Sequence, residues 1–414
     1  MSYFNQTYNA AIRTIGLSGR LVLVVAMAKY LPEQEVGAYG LFQSGVMYSV
    51  YIVGFDFYAY ATREYARQDG SISEKKIRSQ LTLYVFTYVI AAPLLFMSLL
   101  TLKIGTALAA VGIAYVALEH LNQELVRTVE ALGHPVLAGN LSILRSGVWP
   151  IVAVAALVLL PAARSLGTIL WVWAVFGLVS SVISVFLVRR IIPLTRETGI
   201  DWGWMVRGLK VSAIFFIGTL CIRGIFTVDK VAINIVNSTQ LPSYVLFTSI
   251  ALAMLSIIES SVFAFFYPKM LRSSNNYQYI RSLVKSSTIQ AIVVGSIISA
   301  ICIFILPLLL NVIQSSSYRL HVDLAAPILA CILIYVVGLG VHYGLYAIGN
   351  DRTIVVSHAL GLLIFLLVGV VAGPLWGANG IIAAQTLAFA SIALFKAVRF
   401  LSLTNRSPPV GMQS

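Results

Sequence analysis

Residues Arg13–Leu31 read RTIGLSGRLVLVVAMAKYL. The run from Leu21 to Ala28 is apolar without a break, yet Arg13 and Arg20 precede it and Lys29 closes it. A membrane-crossing helix needs about 20 apolar residues. An arginine near the bilayer centre costs at least about 2.5–3.5 kcal/mol on insertion scales. The rest of the chain decides what this stretch is. Of its 414 residues, 59% are hydrophobic and 10% charged, and the mean hydropathy is +0.90. Soluble domains carry about 25% charged residues, and a chain this apolar has too little polar surface to cover itself in water. The composition predicts a polytopic membrane protein, with Arg13–Leu31 within its first helix.

Twelve apolar runs are long enough to cross, at roughly 8–30, 37–58, 80–101, 106–126, 141–160, 168–188, 210–235, 243–266, 287–310, 324–347, 353–372 and 377–398. No long soluble insert separates them. Twenty of the 28 Lys and Arg residues fall in the loops after even-numbered runs or in the C-terminal tail, Arg145 and Lys396 being counted among them. Five fall on the other side, and Arg13, Arg20 and Arg223 lie inside runs. Basic residues mark the cytoplasmic side, so both termini are expected there. The net charge of +13 does not suggest nucleic-acid binding, because the basic residues are spread over short loops rather than gathered in one patch. The N-terminus shows no removable signal peptide. Cys221, Cys302 and Cys331 sit inside apolar runs and read as buried thiols, not disulfides or metal ligands. Neither a metal nor a cofactor is expected.

The chain repeats itself weakly. YLPEQEVGAYGLF (Tyr30–Phe42) has a counterpart in VNSTQLPSYVLF (Val236–Phe247), and VEALGHPVLAGN (Val129–Asn140) in LYAIGNDRTIVVS (Leu345–Ser357). Both pairs fall at matching places in the two halves. The predicted fold is therefore all-α: about twelve transmembrane helices as two six-helix bundles, residues 1–200 and 201–414, related as parallel repeats around a central cavity. Substrate sites in such folds lie between the repeats.

Arg13 and Arg20 are two helical turns apart, share a stripe with Asn9 and Gly16, and stand opposite Ala11, Ile15 and Val22. Arg13 is shallow enough to reach the cytoplasmic interface; Arg20 lies near mid-depth. Arg223 occupies a similar depth in the seventh run. A guanidinium is permanently charged and its planar fork fits phosphate oxygens, so Arg13, Arg20 and Arg223 point to a cavity for an anion. Glu119, Glu259 and Asp56 are the membrane carboxylates that would either neutralise these arginines or carry a coupling ion. Glu124 with Arg127, and Asp229 with Lys230, read as local ion pairs. His342 and His358 read as packing residues. Asn122, Gln123 and Gln385 are available to sugar hydroxyls. Nucleotide-binding, nucleophile-elbow and zinc-protease motifs are absent, and no loop would house a catalytic domain, so no enzyme is expected.

Several of these stretches resemble bacterial polysaccharide-unit flippases of the multidrug/oligosaccharidyl-lipid/polysaccharide exporter superfamily. They are LSGRLVLVVAMAKYLPEQEVGAYGLFQS, GFDFYAYATREYAR (Gly54–Arg67), EALGHP and LWGANGIIAAQTLA (Leu375–Ala388). The best single marker is Gly37, Tyr39, Gly40 and Leu41. The resemblance runs over nearly the whole chain. It implies two six-helix bundles around a cationic cavity in the bacterial cytoplasmic membrane. It also implies transfer of an undecaprenyl-pyrophosphate-linked oligosaccharide to the outer leaflet for O-antigen or capsule. Coupling to protons or sodium ions is implied, as are membrane lipids and the polymerase and chain-length proteins of the same pathway as partners. Two alternatives stand beside it: a cation-coupled drug or metabolite antiporter of the same superfamily, and a non-transporting subunit that docks polysaccharide-assembly enzymes.

Overall fold

A computed structural model describes residues 19–66, 72–101, 106–191, 194–195, 197–273 and 275–405. These residues are almost entirely helical. Helix α1 covers residues 19–30 of the described chain. It is followed by α2 (Glu33–Gly54), α3 (Tyr58–Ala66), α4 (Glu74–Thr101), α5 (Thr106–Ala131), α6 (Pro135–Ser146), α7 (Val148–Leu159) and α8 (Leu166–Ile191). Then come α9 (Trp202–Asn237), α10 (Leu241–Ile258), α11 (Ala264–Arg272), α12 (Tyr277–Ile313), α13 (Ser316–Leu320), α14 (Ala325–Ala347) and α15 (Asp351–Thr404). The one departure from an all-α reading is a short parallel pair, β1 (Ile72–Ser73) with β2 (Leu194–Thr195).

Six stretches among the described residues are long and apolar enough to cross a membrane, and two of them exceed one crossing, at 71 and 54 residues. The second is α15. It breaks at Gly377, whose φ of 58° and ψ of −136° are not helical. That region is essentially reserved for glycine. Gln240 fixes the break by accepting a hydrogen bond from the Ala378 amide at 2.8 Å. A Cβ at Gly380 would lie 2.0 Å from the Ala372 carbonyl oxygen, so the two arms of α15 meet backbone to backbone. Outward-facing positions are apolar: Val89, Ile235, Phe304 and Val370 are all at least two-thirds exposed, as side chains facing hydrocarbon should be.

The contacts divide the described residues into two compact units, each discontinuous in sequence. One holds residues 19–23 with Leu41–Leu220, the other Val24–Gly40 with Cys221 onward. This division by contacts differs from the expected cut after residue 200 over residues 24–40 and 201–220. In the first unit, Phe57, Tyr65 and Trp204 form an aromatic core, with Phe57 edge-on to Trp204 at 5.1 Å. Trp149 stacks on Trp173 at 5.2 Å. In the second, Met270, Ile280, Leu345, Ile354 and Phe400 pack together.

Two repeat signals have direct structural counterparts. Helix α5 ends on Gly133 at φ +84°, with the His134 amide bonded to the Val129 carbonyl; α14 ends on Gly349 at φ +74°, with the Asn350 amide bonded to the Leu345 carbonyl. Both are the six-to-one closure that a left-handed glycine permits. Tyr39 and Tyr244 are both fully buried. Within the second unit, Gly37 and Gly40 form the flat surface on which Leu241 and Val245 rest. A Cβ on Gly40 would come within 2.3 Å of Val245. The glycines of the best marker are thus contact residues, conformationally ordinary.

Candidate functional site

The first unit gathers three arginines and two carboxylates around Arg20 and Arg145. Glu119, on α5, is 4% exposed, and its Oε1 lies 3.4 Å from Nη1 of Arg145 on α6. Arg20 of α1 and Arg127 of α5 both lie close enough to act electrostatically on Arg145. Arg20 Nε and Arg145 Nε are buried and have no hydrogen-bond partner among the described residues. An unsatisfied buried donor costs about 1–3 kcal/mol, more when it is charged. Two such donors beside one carboxylate make a place where an anion's oxygens would be stabilising.

Arg145 is the residue sequence reasoning missed. The fifth apolar run was started at residue 141 and Arg145 was counted with the cytoplasmic loops. The helix in fact begins at Pro135, immediately after the Gly133 turn. Proline is well placed in the first turn because its missing N–H would have had no partner there. That start puts Arg145 ten residues inside the Pro135–Leu159 stretch, about 15 Å along the axis.

The same unit carries a second buried network. Glu124 pairs with Arg127 at 3.0 Å and accepts from Gln80 Nε2 at 3.0 Å and from the Tyr84 hydroxyl. The Arg127 guanidinium lies 3.6 Å from the Tyr58 ring centroid, a cation–π distance. The pair read as a helix-surface contact is therefore buried and tied to α3 and α4. Asn122 is not free for a sugar: its amide nitrogen reaches the Gly177 carbonyl and Ser181 Oγ, and its oxygen accepts from Ser180. It fastens α5 to α8. The Gln123 Oε1, by contrast, is buried with no hydrogen-bond partner among the described residues.

The remaining expected residues are distributed as follows. Arg13 lies outside the described residues. Asp56 is buried at the α2–α3 junction, where Phe55 and Asp56 both take left-handed backbone angles of φ 50° and 47°. Two adjacent non-glycine residues in that region store strain. Arg223 and Glu259 belong to the second unit and are exposed on their helices. Glu259 opens a π-helical turn, Glu259–Phe263, between α10 and α11. Asp229 and Lys230 are buried, and the Asp229 carboxylate also accepts from the Tyr244 hydroxyl at 2.7 Å and from Gln385 at 3.4 Å. Gln385 is thus engaged with the protein, like Asn122. Among the described residues no group of three His, Cys, Asp or Glu side chains could hold a metal ion.

No protein-family model matches the chain, and no curated protein matches it. Solved structures do. An inward-facing multidrug resistance MATE-family transporter of the MOP superfamily aligns at a TM-score of 0.70 and 12% identity, over 97% of this chain and 99% of the other. A MATE protein in complex with MaD3S aligns at 0.67 and 14% identity, over 97% of each chain. A MOP-superfamily transporter from Pyrococcus furiosus is described as having a binding pocket of reverse polarity that suggests a different function. It aligns at 0.60 and 13% identity, over 97% of this chain and 96% of the other. At these identities the likeness speaks for the architecture, and over nearly its full length this chain has the fold of the MATE-like transporters of the MOP superfamily.

Proposed function

We propose that this chain is a flippase that moves undecaprenyl-pyrophosphate-linked oligosaccharide units from the inner to the outer leaflet of a bacterial cytoplasmic membrane, for O-antigen or capsule assembly. The observation that carries this reading is the Arg20–Arg145–Glu119 cluster, whose two buried guanidinium Nε atoms have no hydrogen-bond partner among the described residues. A pyrophosphate diester presents the two negative charges and the planar oxygen pairs that such forks bind. A drug cation would meet repulsion there. Glu119 serves as the internal competitor for Arg145. It keeps the anion site from becoming a trap, since binding of equal strength to every state moves nothing.

The same reading takes twelve crossings, arranged as two parallel six-helix repeats with both termini in the cytoplasm. Arg13 and Arg223 are candidates for further contacts with the anion, and Glu259 and Asp56 for ion coupling. The partners are bilayer lipids and the polymerase and chain-length proteins of the pathway; nucleic acid is not among them, and the chain performs no covalent chemistry. The Pyrococcus furiosus protein is a precedent for one fold with altered pocket polarity.

The test is transbilayer movement of a labelled undecaprenyl-pyrophosphate oligosaccharide in proteoliposomes, comparing the native chain with Arg20→Ala, Arg20→Lys and Arg145→Lys. The expected result is transfer by the native chain, none by Arg20→Ala and reduced transfer by the lysine variants. Normal transfer by Arg20→Ala would overturn the site. Export of cationic dyes with no lipid transfer would favour the antiporter.

A further inference from the structure

The second unit buries a lysine between two histidines. Lys396 is 3% exposed and His358 7%. The Lys396 Nζ lies 2.9 Å from His358 Nε2 and 3.2 Å from His342 Nδ1. The imidazole rings stand nearly parallel, 12° apart, with centroids 5.8 Å apart. The three side chains come from three helical segments: α14, the first arm of α15 and its second arm.

Glycines around these residues explain how three bulky bases come so close. A Cβ on Gly338 would sit 3.2 Å from that of Ala393, one on Gly344 2.9 Å from Phe400, and one on Gly361 2.4 Å from Ile392. Each brings a backbone against the opposite helix beside the cluster. On the α12 side, Gly340 would collide with Thr288 Oγ1 at 2.2 Å.

The donor arithmetic is restrictive. A lysine ammonium only donates, and each neutral imidazole has one donor and one acceptor nitrogen. A charged Lys396 therefore requires both facing ring nitrogens to be bare, leaving His342 protonated on Nε2 and His358 on Nδ1. A second proton on the cluster would set two positive charges about 3 Å apart in a low-dielectric interior, which Coulomb repulsion opposes. The three bases therefore have room for at most one excess proton.

The other ionisable groups nearby are few. Tyr343 is edge-on to the His342 ring at 5.6 Å, and Tyr267 of α11 packs on Tyr343 at 5.1 Å. Glu259 lies within electrostatic range of Tyr343. Lys285 of α12 and Arg352 and Arg399 of α15 are exposed. Asp229, Lys230 and Tyr244 are tied to one another and to Gln385.

We propose that Lys396, His342 and His358 form a single-proton exchange site, with the hydrogen ion as its ligand, that fastens α14 to both arms of α15 when occupied. Uptake makes Nζ a charged donor only and fixes both facing ring nitrogens as acceptors; release leaves a neutral amine whose lone pair lets either ring change tautomer and whose bonds to both rings lose their charge assistance. The site is independent of what the chain carries.

The experiment is nitrogen NMR of the ¹⁵N-histidine-labelled full chain in lipid nanodiscs, titrated from about pH 5 to 9, the range in which histidine changes charge. The five histidines are assigned with His342→Gln and His358→Gln. At neutral pH the two rings are expected as opposite tautomers, and they should respond at one shared midpoint. In Lys396→Met that midpoint should split into two separate transitions, with one fewer proton bound per chain by potentiometric titration. Independent midpoints in the native chain would overturn the proposal. So would identical tautomers, no response over the range, or unchanged curves in Lys396→Met. Should Lys396→Met fail to fold, the native tautomers and shared midpoint decide alone.

Discussion

The Glu119–Arg145 pair lends itself to a double-mutant cycle. At 3.4 Å and an effective dielectric of about 20, the attraction is about 5 kcal/mol, set against the cost of withdrawing both charges from water. Removing one partner leaves the other buried and uncompensated, a loss of about 3–5 kcal/mol. The two single variants should differ in rank. Glu119 keeps only 5% of its side chain exposed and Arg145 keeps 17%. A stranded carboxylate is therefore worse placed than a stranded guanidinium, which has a route to water. Arg145→Met should be the most destabilised, Glu119→Gln less so, and the double variant more stable than Arg145→Met alone. A coupling energy of at least about 2 kcal/mol is expected. Unfolding by denaturing detergent in mixed micelles, followed by circular dichroism, gives all four corners of the cycle. Additive losses would refute the reasoning, because they would mean that the two charges are solvated separately and the anion site has no internal competitor.

Glu119→Gln should also raise affinity for inorganic pyrophosphate. Freeing one charged hydrogen-bonding group is worth about 1.5–3 kcal/mol, hence tenfold or more; calorimetric titration measures it, and an unchanged or weakened affinity would make Glu119 a clamp for Arg145 instead of its competitor. Asn122→Leu removes the ties between α5 and α8 and strands the Ser180 hydroxyl, while Ser181 keeps its bond to the Gly177 carbonyl, a loss of about 1–3 kcal/mol, read in the same unfolding assay. Gly377→Ala should cost about 1–3 kcal/mol from backbone angles alone, with added strain from the Gln240 oxygen 2.7 Å from the new Cβ. Gly349→Ala opens into empty space and should cost less; equal losses would argue against the kink as a packed hinge of α15.

The fold was legible because its signals are collective. Apolar runs, sign-sorted loops and matched glycines each constrain many residues at once, and Gly133 and Gly349 close their helices in the same way. Within the buried arginine cluster, only a charge that stood far from any helix end was legible as out of place. Arg20 met that condition. Arg145 and Lys396 did not, because both lie near apparent ends of apolar runs, and the rule that assigns cations to cytoplasmic loops absorbed them. The missing information for Arg145 was nonetheless present in EALGHP: a glycine helix stop followed by proline starts the next helix at residue 135. Lys396 had no such signal, since nothing local reveals that α15 runs on to Thr404 or that two histidines face it. Asn122 failed for a third reason: a polar side chain in an apolar helix serves a ligand or a neighbouring helix with the same atoms.

The repeat register that pairs Gly133 with Gly349 also pairs Asn122 with Gly338, Glu124 with Gly340 and Arg145 with Gly361. At each of these positions the first unit has a polar or charged side chain, and the second has a glycine pressed against a neighbouring helix. Both are ways of holding helices together where hydrocarbon gives no hydrophobic drive for association: hydrogen-bonded side chains in one unit, close backbone approach in the other. At these three positions the first unit thus uses polar contacts where the second uses close packing, while the glycine helix stops at Gly133 and Gly349 are common to both. Both units hold charge inside, the first at Arg145, Glu119, Glu124 and Arg127 and the second at Asp229, Lys230 and Lys396, but at Glu124 and Arg145 the first unit carries charge where the second has glycine. Arg145, charged where the other half has glycine, is the residue that the proposed anion site in the first unit would use, and this asymmetry is the reason to test it there first.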